Sequence, residues 1–332
     1  MDSVAERYQR FARVEAKGRS PVYEAFAMQV AQSPDIIRFL ERLPLDRQQP
    51  NLLFAAIRLV AGTPPSTKEL NAALREHADA IAEVMLTHTT QTNEPSRCAT
   101  LLPALVQIEG PLALIEVGAS AGLCLLPDAY GYDWGRQRLI PPDWAGATAP
   151  TFSCDASEGT PLPSRHPQIV WRAGIDLNPL DVSNDEDVAW LEHLVWPEHE
   201  GRLAGLRAAI SVAQQILPRV EAGDLNHDLP ELIAQAPSDA KVVIFHTAVL
   251  SYVSNQKDRD DFARMLIDAG VIWLSNEAPY VFPQFAQKAG PPNDDMFLLT
   301  ANGQPIAWSG PHGQSLRWIS QFSPSALRRI CA

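Results

Sequence analysis

The chain has 332 residues, 46% of them hydrophobic and 20% charged, with a formal net charge of −12 and a sequence pI of about 5.1. This is the composition of a folded protein of one large or two ordinary domains, and with no basic stripe it argues against a nucleic-acid partner. No apolar run is long enough to span a membrane, the N-terminus lacks the basic-then-apolar order of a signal peptide, and Cys98, Cys124, Cys154 and Cys331 show no Cys-x-x-Cys spacing, so a cytoplasmic chain with reduced thiols is expected.

Residues 1–109 are expected to form a helical N-terminal region. Val4, Tyr8, Phe11 and Val14 recur at helical spacing, and residues 22–30 and 34–40 extend the pattern, with Pro34 near a first turn. Residues 52–60 are strongly apolar and end at Gly62-Thr63-Pro64-Pro65, a stop signal. Ser66-Thr67-Lys68-Glu69 matches a capping box and opens helical sequence running through His88. A further helix is expected over 95–108.

From Pro111 onward short β-like runs alternate with helical stretches: 112–117, 169–175, 219–222, 242–246 and 271–275. Such alternation predicts a mostly parallel sheet with covering helices, an α/β domain over 110–332. The small-residue turn from Gly118 to Gly122 should lead into a helix beginning at 123–126. A Pro-, Gly-, Tyr- and Trp-rich insertion at about 127–168 is too long for a simple connection and is expected to form a small β-ribbon. Phe297 to Thr300, Asn302-Gly303 and Pro305 to Trp308 predict an antiparallel hairpin near the C-terminus, with 315–319 as a further edge strand.

Acidic residues fall where the parallel strands should end. Glu116 ends the first run, Asp176 follows the second in Ile175-Asp176-Leu177-Asn178-Pro179, Asp224 follows the third in Gly223-Asp224-Leu225, and Glu277 follows the fifth. In an open α/β sheet the carboxyl ends of the strands line the ligand crevice. Several carboxylates there suit a ligand bearing hydroxyls and amines. Each also has a plainer reading: Glu116 can cap a helix N-terminus, while Asp176 and Asp224 both lie in good turn sequence. His246, after an apolar run, is a candidate general base, and a hydrogen-bonded histidine at a strand end is the alternative. Glu277 is the second candidate base, or an arginine partner. Asn93, Glu94 and Arg97 lie just before the first strand and could cover a ligand, or simply begin a helix. The remaining histidines show no metal-binding spacing.

Glu116-Val117-Gly118-Ala119-Ser120-Ala121-Gly122 resembles the first motif of class I S-adenosylmethionine-dependent methyltransferases. The 174–179 and 223–225 segments resemble that family's second- and third-strand segments, and the segment from His246 resembles its fourth-strand end. The resemblance implies a doubly wound, Rossmann-like sheet with a C-terminal antiparallel hairpin, binding S-adenosylmethionine and methylating a small molecule. It implies that Glu116, Gly118, Ala119, Ser120 and Gly122 hold the methionine end, Asp176, Leu177 and Asn178 the ribose side, and Asp224 and Leu225 the adenine. His246 would then meet both cofactor and substrate, with Asn93, Arg97 and Tyr252 on the substrate. Ser120 stands where that family often has Gly.

The chain also resembles, along its whole length, a bacterial family known only as domain of unknown function 2332, through Gln91-Thr92-Asn93-Glu94, the 174–181 segment and Val195-Trp196-Pro197. That resemblance implies no reaction. Two other functions compete. One is a non-catalytic cofactor-binding protein or scaffold of the same fold. The other is an α/β-hydrolase, because Gly118-Ala119-Ser120-Ala121-Gly122 matches Gly-x-Ser-x-Gly, with Ser120 as nucleophile, His312 as base and Asp268 between them. The helical region could shape an acceptor pocket or form a homodimer.

Overall fold

The computed structural model describes residues 2–91, 93–290 and 295–319. Cys331 lies outside them. The chain divides into two compact units: residues 1–92 with 184–204, and residues 93–183 with 205–332. Residues 93–109 therefore group with the sheet, and 184–204 with the N-terminal helices.

The first unit is helical. Ser3 opens Val4–Arg10 with a full capping box, its hydroxyl taking the Glu6 N–H while Glu6 reaches back. The predicted box at Ser66 forms only in part: the Ser66 hydroxyl accepts the Lys68 N–H, and Glu69 meets the hydroxyl instead of the backbone. The helical sequence after it breaks at His77 into Thr67–Glu76 and Ala78–Thr87. Tyr8, Phe11, Tyr23, Phe26, Phe54 and Trp196 pack edge-on and tilted into an aromatic core, the geometry aromatic quadrupoles favour.

The second unit is built on a nine-stranded mixed sheet. In chain order the strands are β1 (Leu112–Val117), β2 (Gly131–Asp133), β3 (Arg138–Leu139), β4 (Thr151–Ser153), β5 (Asp155–Ala156), β6 (Ile169–Asp176), β7 (Val220–Ala222), β8 (Lys241–Thr247), β9 (Ile272–Glu277), β10 (Phe297–Ala301), β11 (Gln304–Ser309) and β12 (Ser315–Trp318). The sheet order is β5-β12-β11-β10-β9-β8-β1-β6-β7, while β2, β3 and β4 form a separate three-stranded sheet within the predicted insertion. Strands β7, β6, β1, β8 and β9 are mutually parallel. Numbered by their succession along the chain, they lie in the order 3-2-1-4-5. Beyond them, β10 and β11 form the antiparallel hairpin predicted around Asn302-Gly303.

All six residues of β1 are buried, as expected for the central strand of a sheet covered on both sides. On one face Ile115, Val117, Ile175, Ile244 and Trp273 pack with Leu229, Leu232, Phe262 and Leu266, which places helices Leu229–Ala234 and Gln256–Asp268 against that face. Because strand side chains alternate, Glu116 on β1 points to the opposite face. The helix expected after β1 does not form. Leu123–Leu125 make one 3-10 turn, and the chain then enters the insertion through Pro127. Among the described residues, no helix is long and apolar enough to cross a membrane.

Candidate functional site

The chain leaves β1 toward β6 on one side, and later returns to β8 on the other. The carboxyl edge between β1 and β8 is thus the switch point where open α/β sheets place ligands. The turn after β1 occupies it, with Gly118, Ser120 and Gly122 all at positive φ (69°, 51° and 72°). Two glycines make this affordable; Ser120 is held there by its N–H, which donates to Asp176 Oδ2 at 2.8 Å. The other Asp176 oxygen accepts the Asn178 N–H at 2.8 Å. The turn reading of Asp176 is therefore realised in the fold.

Asn93 clamps the same turn from the other side. Its Nδ2 donates to Ala119 O at 2.7 Å and its Oδ1 accepts the Leu123 N–H at 3.1 Å. Gly118 is glycine for a local reason: an added Cβ would stand 2.4 Å from Val249 Cγ2. The close approach to Gly118 is made by the chain after β8.

Glu116 is only 3% exposed, and its Oε2 has no hydrogen-bond partner among the described residues. Burial pushes its carboxyl well above the usual range, reinforced by Cys124 and Asp176 and opposed by Arg97. The buried guanidinium of Arg97 donates to three neutral oxygens: Pro311 O at 2.8 Å, Thr247 O at 3.0 Å and Thr247 Oγ1 at 3.3 Å. It also lies over the Phe297 ring, 5.9 Å from its centroid. Next to it, Ser96 bridges Glu94 Oε1 and His312 O, and His312 Nδ1 stands 3.8 Å from Glu94 Oε2.

His246 and Glu277 meet as a pair on the helix-covered face. His246 Nδ1 donates to Glu277 Oε1 at 2.7 Å; the Trp273 indole N–H donates to His246 Nε2 at 2.9 Å. Since Nε2 accepts, the proton sits on Nδ1. Both ring nitrogens are engaged within the fold, so in this geometry His246 fixes Glu277 and offers no lone pair to a substrate. Glu277 Oε1 also takes the N–H groups of Val249 (2.8 Å) and Leu250 (3.1 Å), while Oε2 is buried without a partner among the described residues.

Leu177, expected beside the ribose, is 78% exposed; Tyr252, expected on the substrate, and Tyr280, not singled out in the sequence, also present apolar surface after β8 and β9. Leu225 packs against the helix-covered core. Asp224 Oδ1 accepts from Asn226 N–H at 2.8 Å and lies 3.0 Å from His227 Nδ1; partial burial works against its charge, but these donors outweigh it and lower its pKa. Asp224, Asn226, His227, Asp258, Asp261 and Met265 line a cleft of about 440 Å³.

The hydrolase arrangement does not assemble. Among the described residues Ser120 Oγ has no hydrogen-bond partner, and Asp268 ends the helix that leads into the start of β9, at the sheet edge opposite Ser120. Trp273, Val249, Asn276 and Cys124 escaped sequence reading because each looks like ordinary core or loop sequence; strand pairing gives Trp273 and Asn276 their place here, and the chain following β8 and β1 brings in Val249 and Cys124. Among the described residues no group of three or more His, Cys, Asp or Glu side chains could hold a metal ion.

The sequence pattern of a family described as "Uncharacterized protein conserved in bacteria (DUF2332)" matches residues 5–318. The chain belongs to this family. The match runs across both compact units, so the helical unit and the sheet unit are parts of one family architecture. No curated protein and no solved structure matches the chain.

Proposed function

We propose that this member of the family binds S-adenosylmethionine at the carboxyl edge of a Rossmann-like, doubly wound sheet and transfers its methyl group to a small-molecule acceptor. The supporting observation is the 3-2-1-4-5 order of the parallel strands, flanked by an antiparallel strand, with the 116–122 turn at the switch point and the buried Glu116 Oε2 left unpartnered there.

The residues fit the group in part. Glu116 and the 119–122 backbone would hold the methionine end, and the Asp176 carboxylate, at the end of β6 beside that turn, would meet the ribose hydroxyls. Leu177 and Asp224 would face the base. Val249 covers Gly118, so the cofactor would follow the turn beyond that residue. When bound, the cofactor supplies a sulfonium methyl to an incoming nucleophile. The protein's part is to hold the two reactants in line. Glu277, fixed by His246, would orient a donor group through Oε2.

The occupied nitrogens of His246 and the covered Gly118 support a second reading, a cofactor-binding protein of the same fold without turnover. Calorimetric titration with S-adenosylmethionine and S-adenosylhomocysteine tests the binding that both readings share. We expect Asp176→Ala to weaken it by about 1–3 kcal/mol, the range for a lost hydrogen bond to a charged group. Absence of binding to folded protein, or unchanged affinity in the variant, would reject the assignment. An acceptor screen monitoring S-adenosylhomocysteine release then separates the two readings.

A further inference from the structure

On the face of the sheet that bears Glu116, two observations converge beside Thr247. Arg97 is 4% exposed, and among the described residues its guanidinium forms no ion pair; its partners are the Pro311 and Thr247 oxygens. Asn276 is fully buried, with Nδ2 lacking an acceptor among the described residues, while its Oδ1 is held by the Ser309 hydroxyl at 2.6 Å. Thr247 and Asn276 are paired in register on adjacent parallel strands, so both side chains emerge on one face, and Arg97 is bonded to that same Thr247. A buried cation with no carboxylate in direct contact and a buried N–H without an acceptor, as both stand among the described residues, are each costly. One ligand group, an anion, relieves both.

We propose that Arg97 and Asn276 form a buried subsite for the carboxylate of a small-molecule ligand. A planar monoanion matches the guanidinium fork and the amide N–H beside it. A phosphate dianion would carry a second charge toward Glu116 and Glu94. The subsite lies on the β8–β9 side of the switch point, whereas the residues assigned to the cofactor sit on β1, β6 and β7. The carboxylate therefore belongs to the acceptor, an organic or amino acid. This last step rests on the methyltransferase reading; the subsite itself does not.

The test is thermal unfolding of the full chain with increasing acetate, glycine or inorganic phosphate at ionic strength matched with chloride. A ligand bound only by the folded state raises the midpoint with its concentration. We expect acetate and glycine to raise the wild-type midpoint and phosphate to leave it unchanged. In Asn276→Asp the introduced carboxylate sits next to Thr247, to which Arg97 is bonded, so the variant should fold with an undiminished midpoint and lose the response. Asn276→Leu, which removes the amide donor, should lose it too. No response in wild type, a response retained in both variants, or a response to phosphate alone would overturn the proposal. Saturating S-adenosylmethionine separates the sources: an additive acetate response assigns the subsite to the acceptor, and a competitive one overturns that assignment. Failure of S-adenosylmethionine to bind, with the acetate response intact, would reject the cofactor and leave the subsite standing.

Discussion

Replacing Glu116 with Gln isolates the most exposed assumption about the site, that a carboxyl is buried there at a protein-imposed cost. Glu116 is fully enclosed, with Oε2 unpartnered, and burial, with Cys124 and Asp176 adding to it, pushes its pKa well above the ordinary 4.5. The native state therefore keeps a proton that the unfolded chain releases near its ordinary value. Stability from this group is complete below that pH and is lost as pH rises toward the folded-state pKa. Each pH unit in that window costs about 1.4 kcal/mol. Glu116→Gln keeps the shape and removes the titration. Urea unfolding of both proteins from pH 5 to 8 should show the variant gaining on wild type as pH rises, with the gap closing toward pH 5. A pH-independent gap, or a variant that loses more than about 1 kcal/mol throughout, would contradict a protonated, unpartnered Glu116, because it would mean that the carboxylate is already well partnered.

Two further changes test the frame around the site. Gly118→Ala combines left-handed backbone at φ +69° with a Cβ placed 2.4 Å from Val249; about 2–5 kcal/mol of lost stability is expected, and Val249→Ala in the same chain should recover the steric part but not the backbone part, read from denaturation midpoints. Trp273→Phe removes the donor to His246 Nε2 and should cost about 2–4 kcal/mol from the unsatisfied nitrogen and lost volume; a loss below about 1 kcal/mol in urea would contradict that hydrogen bond.

The alternation of apolar runs with helical stretches was enough to place all five parallel strands, and Asn302-Gly303 to place the hairpin, because both signals are local. The missing helix after β1 was not legible. Small residues from 118 to 122 followed by Leu123 suit a strand–turn–helix, and only the packing of the 123–125 turn against Asn93 and the exit into the insertion show that the helix stops after one 3-10 turn. The break at His77 likewise lies inside sequence with uninterrupted helical propensity. The domain boundary moved because residues 93–98 are bound by long-range partners: Ala119 and Leu123 for Asn93, Thr247 and Pro311 for Arg97.

The site shows the same division between local and long-range information. Strand-end acids could be found by their spacing, but strand alternation decides which face each occupies, and it separates them: Ile115 and Val117 share a face with Trp273, so Glu277, two positions beyond Ser275 and four beyond Trp273, joins that face while Glu116 takes the other. His246 follows Ile244 onto the helix-covered face, where Trp273 and Glu277 claim both of its nitrogens. Thr247, one residue later, faces the other way and meets Arg97. Two neighbours in sequence thus serve opposite surfaces of the sheet. The histidine that looked chemical organises a carboxylate, and the threonine that drew no notice anchors a buried cation. The carboxylate subsite proposed for Arg97 and the Asn276 amide accordingly belongs to the Glu116 face, opposite the one that His246 and Glu277 occupy.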